Sequence, residues 1–196
     1  LQQSHVRLHT EAVARVTAHG VVGASGEERP CDVIIWGTGF KAAELVTPMQ
    51  VYGEAPTGGD AQPAPELGAL WRSQPPATRL GITVPGFPNF YMLVGPHTGL
   101  GHNSIIFMME CQVNYIVQAL RHVRQAGAAQ LHLRPAVAQA DYGRMQRAMQ
   151  GTVWASGCHS WYQNAKGDID TLWPGYTWQY WLQSRRFNPA DYRLDG

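Results

Sequence analysis

A glycine-rich segment at residues 95–104, called the glycine loop below, has the residue types best suited to bind a ligand. Glycines allow positive φ and let a flat ligand approach the backbone closely. The predicted helix that follows would present unpaired N–H groups, which stabilise an anion. No lysine follows the last glycine, so phosphate transfer is not indicated. A plain connecting loop without a ligand is the alternative. The segment reads Gly95-Pro96-His97-Thr98-Gly99-Leu100-Gly101-His102-Asn103-Ser104.

A second glycine pair, Gly37 and Gly39, follows an apolar run at residues 33–36. With Ala42 it forms G-x-G-x-x-A, which is similar to a dinucleotide-binding fingerprint. That fingerprint also needs a long helix to hold the pyrophosphate and an acidic residue about 20 positions further on. Pro48 leaves room for only about two helical turns, and Glu54 comes too early. The pattern predicts either a turn without a ligand or a turn against a cofactor whose phosphates are held elsewhere.

The histidines and cysteines do not form a metal-site pattern. His97 and His102 are five residues apart with no acidic residue between them, and Cys31, Cys111 and Cys158 form no C-x-x-C pair. We therefore predict no metal. No G-x-S-x-G nucleophile motif occurs, so hydrolase chemistry is not indicated. A general-base role for either histidine stays open, because a loop histidine titrates near neutral pH.

Aromatic residues are concentrated in the tail of the chain. Five of the seven tryptophans lie between residues 154 and 181, together with Tyr162, Tyr176 and Tyr180. Such density is typical of a small lobe that packs against a larger one. One or two rings that line a ligand pocket are the alternative.

Short strands are predicted to position the two glycine segments. The N-terminal part predicts an antiparallel meander with strands near residues 6–8, 12–16 and 20–24. Two apolar runs, 33–36 and 90–94, predict strands buried on both faces, which favours an α/β layer. Residues 47–88 are rich in proline without a sustained period, and no regular element is expected there.

Two helices are predicted after the glycine loop. The first has polar residues on one side, Asn103 or Ser104 at its start and Gly127 at its end. Its opposite, apolar face is formed by Ile106, Met109, Val113, Ile116, Val117, Leu120 and Val123. The second helix begins after Pro135, and its apolar side is formed by Ala138, Tyr142, Met145 and Met149.

Length and charge exclude several classes of protein. The chain has 196 residues and a formal net charge of +1, so neither nucleic acid nor an anionic membrane surface is indicated as a partner. No apolar stretch approaches the roughly 18 residues of a membrane span. The odd, scattered cysteines favour a reducing cytoplasm. Because the chain starts at Leu1 with neither an initiator Met nor a signal-peptide pattern, we expect a fragment.

Three segments resemble a known family. They are DVIIWGTGF at 32–40, FPNFYMLVGPHTGLGHNSIIFMMECQVNYIVQAL at 87–120, and CHSWY at 158–162 followed by LWPG and YW. Together they look like the C-terminal third of FAD- and NADPH-dependent flavoprotein monooxygenases of the Baeyer-Villiger type. The first segment departs from the family pattern D-x-x-x-x-A-T-G-[FY] because Gly37 stands in place of alanine.

The resemblance implies an activity, two cofactors and a fold. NADPH would reduce FAD, and a C4a-peroxide of the flavin would insert one oxygen atom of O2 into a ketone or onto a soft heteroatom. The implied α/β fold is the C-terminal remainder of a Rossmann-like FAD-binding domain at 1–135 and an aromatic-rich helical tail at 136–196. The missing N-terminal part of the same polypeptide would carry both glycine fingerprints.

The resemblance also assigns cofactor-binding residues but no catalytic residue. The residues along the FAD would be Thr38, Gly39 and Phe40. The glycine loop would pass beneath the pyrimidine side of the flavin ring with Gly95, Pro96, Gly99, Leu100, Gly101 and Asn103. The residue close to NADP would be Trp161.

Two other functions remain as alternatives. An autonomous NAD(P)-dependent oxidoreductase would use the turn at residues 37–39. A non-catalytic module would use the aromatic tail to bind a glycan or a protein, and it predicts an exposed aromatic patch. If the chain is a fragment, its apolar runs lack neighbours, and we expect it to self-associate or to be partly disordered when made alone.

Overall fold

The structure is a computed structural model that describes residues 2–37, 39, 44–55, 63–156, 162–164 and 166–196. The chain divides into two compact units, Leu1–Gly39 and Phe40–Gly196. The boundary expected at residue 135 is a different division and stays a prediction. Within the described ranges, no helix is both long enough and apolar enough to cross a membrane.

The first unit contains a three-stranded antiparallel sheet. Its strands are β1 (Val13–Val16), β2 (Gly20–Gly23) and β3 (Glu28–Pro30), and β2 lies in the middle. The predicted three-stranded meander is therefore confirmed, and the strands expected near 12–16 and 20–24 correspond to β1 and β2. Residues 6–8 form no strand; the third strand is β3, which follows the turn at 24–26 and was not predicted.

The apolar run at 33–36 is not a buried strand. Val33, Ile35 and Trp36 are 75%, 92% and 67% exposed, and residues 33–36 form no strand. The prediction was wrong for these residues because a strand buried on both faces needs neighbours that supply hydrogen bonds and cover its side chains. The part of this unit that the structure describes supplies none.

The second unit contains four helices and one strand pair among its described residues. The helices are α1 (Leu67–Ser73), α2 (Ile105–Ala126), α3 (Pro135–Met149) and α4 (Thr177–Ser184). Strands β4 (Gln130–Leu133) and β5 (Tyr192–Asp195) pair antiparallel. Short 3-10 turns occur at Val153–Ala155 and Pro189–Asp191.

Helix α1 was not expected from the sequence. It lies inside the proline-rich stretch at 47–88, in which no regular element was predicted. The carboxylate of Glu66 caps its start by accepting hydrogen bonds from the N–H groups of Gly68 (2.8 Å) and Ala69 (2.6 Å). A seven-residue helix is too short to show a sustained period, so the cap was its only local signal.

Residues 90–94 also fail to form the predicted strand. The N–H of Met92 donates to the carbonyl of Ile82 at 2.9 Å, and the N–H of Val94 donates to the side chain of Gln112 at 2.9 Å. Val94 has a φ of 56°, which a strand does not allow. The apolar run therefore crosses between two elements as irregular backbone.

Helix α2 has the predicted ends but a different buried face. Gly127 ends it in the left-handed region, with a φ of 64°. Its buried side is formed by Met108, Cys111, Gln112, Tyr115 and Ala119. Most of the predicted apolar face is exposed instead. We call this exposed set the α2 stripe; it consists of Ile106 (58% exposed), Val113 (46%), Val117 (37%) and Leu120 (51%).

The α2 stripe explains the wrong assignment of the buried face. The helix has apolar residues on two opposite sides, and periodicity alone cannot say which side meets the core. For helix α3 the predicted side is confirmed. Ala138 and Met145 are buried in the main core, against which Tyr142 packs, and Met149 is buried in a separate cluster with Ile169 and Leu172.

A buried charge cluster joins three distant parts of the second unit. Arg79 donates from Nε to Asp191 at 2.7 Å and from a terminal nitrogen to Asp141 of α3 at 2.8 Å. Arg144 donates to the other oxygen of Asp141 at 2.8 Å. Burial would lower the pKa of Arg79, but the two carboxylates raise it above its usual value. The cluster thus stays charged and holds the chain end against α3.

Close backbone contact fixes the start of the glycine loop. A Cβ on Gly95 would collide with the carbonyl oxygen of Gly81. Gly81 itself has a φ of 67° and would collide with Thr98 if it carried a Cβ. Both positions therefore require glycine, because the loop packs directly on the turn at residues 80–82.

We expect Arg79→Leu to lower the free energy of unfolding by about 3–5 kcal/mol, because it leaves the carboxylate of Asp191 without its cation and that of Asp141 with Arg144 alone. Arg72→Leu is the matched control, since Arg72 is 71% exposed and lies 3.7 Å from Glu66; it should cost less than about 1 kcal/mol. Urea unfolding at one fixed protein concentration measures both. Equal losses for the two variants would contradict the assignment.

We also expect Gly95→Ala to lower the free energy of unfolding by about 1–3 kcal/mol, because its methyl group overpacks a backbone contact. Gly143→Ala makes the same chemical change on α3, where a Cβ would meet only the flexible end of Arg147 at 3.3 Å. That change should be neutral or stabilise by up to about 1 kcal/mol. A tolerated Gly95→Ala, read by the same unfolding measurement, would disprove the close contact.

Candidate functional site

The glycine loop has a buried first half and an exposed second half. Residues 95–98 are buried inside the chain, Gly99 and Leu100 are half-buried, and residues 101–104 are exposed. Of the glycine-loop residues predicted to contact FAD, Gly101 and Asn103 are therefore the exposed ones. Gly95 and Pro96 support the loop from beneath.

The three glycines do not serve the backbone role that the sequence predicted. None of Gly95, Gly99 and Gly101 has a positive φ; in this region the left-handed residues are Val94 and His97, with φ of 56° and 59°. That expectation was wrong because each glycine makes room for atoms of this chain. A Cβ on Gly99 would lie 2.8 Å from the carbonyl oxygen of Thr171, and one on Gly101 would lie 2.8 Å from the ring of Trp154.

The start of α2 presents unpaired backbone donors next to the exposed half of the loop. Ser104 occupies the N-cap position as predicted, but its side chain makes no capping hydrogen bond, and the first turn has no acidic residue. Asn103 accepts from the N–H of Ser104 at 2.7 Å and donates to Thr177 at 3.2 Å. The first N–H groups of α2 thus keep the partial positive charge of a helix N-terminus.

An open groove of about 870 Å³ borders the same part of the loop. We call it the aromatic groove. Its walls come from α3, α4 and the segments between them, with His102 of the glycine loop at one edge. Its lining residues include His102, Arg144, Trp154, Trp173, Tyr176 and Trp178.

The aromatic tail is partly buried and partly exposed. Trp173 is 5% exposed and packs edge-on against Tyr180, with ring centroids 5.2 Å apart. Tyr176 and Trp178 stack on each other and are 67% and 55% exposed. The exposed aromatic patch that a binding module requires is thus present at the rim of the aromatic groove.

His97, one of the two histidines for which a general-base role stayed open, is buried in the structure. It is 4% exposed, and burial lowers its pKa to about 4. It is neutral near pH 7, and its Nε2 lies 3.1 Å from the side-chain nitrogen of Gln146 on α3. His102 is exposed. Within the described ranges, no three His, Cys, Asp or Glu side chains are grouped to hold a metal ion.

Of the other residues predicted to contact a cofactor, the structure describes only Gly39. Gly39 is exposed with a φ of 80°. Thr38, Phe40 and Trp161 lie outside the described residues. No helix occurs in the described stretches 44–55 and 63–66 that follow the glycine pair, so these stretches do not complete a dinucleotide fingerprint.

Sequence reasoning missed a polar cluster beneath the glycine loop. It consists of His97, Tyr142, Gln146, Asn164 and Asp170, whose side chains come from three separate parts of the chain. One signal was present locally: Asn164 precedes Gly167 by three residues, a spacing typical of a tight turn. Nothing in the sequence placed that turn beside the loop.

Curated relatives match nearly the whole chain. It is 38% identical over 187 residues to a Baeyer-Villiger monooxygenase of Pseudomonas aeruginosa, which covers 94% of this chain and 34% of the relative. It is 37% identical over 196 residues to a Baeyer-Villiger monooxygenase of Streptomyces coelicolor, with 99% and 36% covered. An Aspergillus niger protein named FAD-binding monooxygenase ktnD is 37% identical over 201 residues. The chain spans about one third of the length of these relatives.

Solved structures of similar fold also match over most of the chain. The closed crystal structure of cyclohexanone monooxygenase gives a TM-score of 0.68 at 21% identity, with 94% of this chain and 34% of that chain covered. A structure named OTEMO complex with FAD and NADP gives a TM-score of 0.73 at 22% identity, with 94% and 33% covered.

No protein-family profile matches the chain. Identity of 37–38% across at least 94% of the chain nevertheless establishes common descent with the Pseudomonas and Streptomyces proteins, and the α/β fold agrees. The chain is thus homologous to a C-terminal part of the Baeyer-Villiger and FAD-binding monooxygenases.

Proposed function

We propose that this chain forms the C-terminal part of an FAD- and NADPH-dependent monooxygenase. The whole enzyme would transfer one oxygen atom of O2 to a ketone or to a soft heteroatom, and the second atom would leave as water. The observation that carries the proposal is 38% identity over 94% of the chain with a Baeyer-Villiger monooxygenase.

The start of α2 fits the electron-rich side of a reduced flavin. Reduced FAD carries negative charge near N1 and the C2 carbonyl, and a helix N-terminus directed there stabilises it by roughly 0.3–2 kcal/mol. The exposed residues Gly101 and Asn103 and the uncapped N–H groups after Ser104 support this role. Gly95, Pro96, Gly99 and Leu100 would hold that edge of the loop in place.

The remaining predicted contacts complete the proposed cofactor site. Thr38, Gly39 and Phe40 would lie along the FAD, and Trp161 would contact NADPH. When bound, FAD supplies the reaction with electrons taken from NADPH and passed to O2. This chain would help to bind and orient the FAD. The rest of the Rossmann-like FAD-binding domain would come from the other part of the polypeptide.

The aromatic groove is proposed as the substrate side. Trp154, Trp173 and Trp178 supply apolar, flat walls, and sites for small molecules are usually concave and largely apolar with a few polar groups. The groove's polar lining side chains include those of Arg144, His102 and Gln183. The groove therefore suits a hydrophobic carbonyl compound.

The missing N-terminal part of the same polypeptide is proposed as the partner of the α2 stripe. The curated relatives are about three times as long as this chain, and the stripe leaves four apolar side chains exposed along a 22-residue helix. The exposed residues Val33, Ile35 and Trp36 fit the same proposal, since strand neighbours from that part would cover them.

The binding-module alternative has one observation in its favour. The stacked pair Tyr176 and Trp178 is exposed, as that hypothesis requires. Homology to monooxygenases favours the enzyme, and flavin content distinguishes the two. The dehydrogenase alternative would need NAD(P)H binding without flavin.

We expect the polypeptide extended by its upstream coding sequence to bind FAD and to consume O2 with NADPH when a cyclic ketone is added. The isolated chain should not bind FAD tightly, because the phosphate sites are proposed to lie upstream. Absorption at flavin wavelengths after gel filtration and an oxygen electrode measure these outcomes. Tight stoichiometric FAD binding by the isolated chain would contradict the arrangement, and NADPH oxidation without flavin would favour the dehydrogenase.

We expect Ser104→Asp in that extended polypeptide to weaken FAD binding and to lower the flavin reduction potential. The new carboxylate would cap the free N–H groups of α2 and place a negative charge beside the reduced ring. Ser104→Ala is the control, because the Ser104 side chain makes no capping bond. An equal flavin reduction potential in both variants would contradict the proposal that the start of α2 lies beside the flavin.

We expect the isolated chain to self-associate through the α2 stripe. Val117→Lys should shift the average mass seen by light scattering towards the monomer, because the charge interrupts the apolar surface. Asn114→Lys adds the same charge on the polar side of the helix and should change little. A monodisperse monomer without any substitution would refute the expectation.

A further inference from the structure

The polar cluster beneath the glycine loop is the strongest feature that the proposed function does not use. Backbone pairing brings it to the loop. The N–H of His97 donates to the carbonyl of Asp170 at 2.7 Å, and the N–H of Gly99 donates to the carbonyl of Thr171 at 2.8 Å. Trp173 donates back to Gly99 at 2.8 Å. Residues 170–173 therefore determine where the glycine loop lies.

The side chain of Asp170 connects this pairing to two other elements. It is 7% exposed. Its Oδ2 accepts from Asn164 at 2.8 Å, and its Oδ1 accepts from Gln146 of α3 at 3.2 Å and from Tyr142 at 3.4 Å. One buried carboxylate thus joins α3 and Asn164 to the segment that pairs with the glycine loop.

The hydrogen-bond directions in the cluster are consistent with one another. Gln146 has two amide hydrogens, and its nitrogen lies within reach of Asp170 and of the ring Nε2 of His97. Donation to that Nε2 needs the neutral ring with its proton on Nδ1, and the lowered pKa of His97 agrees with a neutral ring. Asn164 uses its oxygen to accept from the N–H groups of Lys166 and Asp168, so only its nitrogen is left for Asp170.

The carboxylate of Asp170 is held by neutral donors. Among the described residues, no Lys or Arg forms an ion pair with it, and the nearest basic group, His97 Nε2, lies 3.6 Å away and is neutral. Burial raises the pKa of Asp170, Asp168 raises it further, and donation from Asn164, Tyr142 and Gln146 opposes the rise. Removal of one of these donors should displace the Asp170 carboxylate, because a buried charge without hydrogen-bond partners is unfavourable.

We propose that Asp170 is a positioning residue that holds the glycine loop, and through Trp173 one wall of the aromatic groove, in register with α3. The inference rests on the proposed function for the identity of the ligand. Asp170 touches neither cofactor nor substrate in this arrangement. It acts through the backbone of residues 97–99 and 171–173.

The test uses the extended polypeptide with FAD bound and exchanges the two partners. In Asp170→Asn, the new amide nitrogen must face a donor nitrogen, that of Asn164 or that of Gln146, because one amide oxygen cannot replace both carboxylate oxygens. In Asn164→Asp, two carboxylates face each other. The double variant Asn164→Asp with Asp170→Asn restores one donor and one acceptor. We expect each single change to lower kcat/KM for the ketone about tenfold and to alter the visible flavin spectrum, and the double exchange to restore both.

Two further variants separate positioning from general stability. Asp168→Asn makes the same charge change two residues away and should leave kcat/KM and the spectrum unchanged. Gln146→Met removes the link to α3 while keeping the length of the side chain, and should reproduce part of the defect if Asp170→Asn does not fold. All measurements are made below the unfolding midpoint of every variant.

The outcomes distinguish the two proposals. If the unsubstituted polypeptide contains no flavin, the proposed function fails. If it is an active flavoprotein and the folded single variants keep its spectrum and kcat/KM, Asp170 has no positioning role. A defect in the single variants that the double exchange does not repair also overturns the inference, because the pairing would then not be the cause.

Discussion

The backbone pairing between the glycine loop and residues 170–173 is the constraint on which the candidate site depends. Three hydrogen bonds of 2.7–2.8 Å join His97, Gly99 and Trp173 to their partners. This pairing holds the exposed residues 101–104 where α2 begins. The position of the α2 N-terminus at the proposed flavin edge therefore depends on residues 170–173, which lie far from that helix start in the chain.

Close packing within the chain also explains why the glycine loop requires its glycines. At Gly95, Gly99 and Gly101 the space of a missing side chain is filled by Gly81, Thr171 and Trp154. A glycine-rich loop before a helix is commonly interpreted as a place where a ligand approaches the backbone. Here close packing inside the chain requires the glycines, and the remaining exposed donors are at the helix start.

Helix α2 presents apolar side chains on two opposite sides. One side of the helix packs in the core through Met108, Tyr115 and Ala119, and the opposite side presents the α2 stripe to solvent. An apolar face of that length is unfavourable in water unless another surface covers it. The relatives, about three times as long, have additional chain that could do so.

The sequence by itself determined the features that depend on neighbours close in the chain. It predicted α2 with its glycine end, α3 with its buried side, the meander and the family resemblance, because periodicity and end signals are local. It could not show which side of α2 is buried, that residues 33–36 and 90–94 form no strands, or that His97 is buried and neutral. Only the tertiary structure decided these points, because burial and hydrogen-bond partners such as Asp170 and Gln146 come from distant segments whose approach no local pattern encodes.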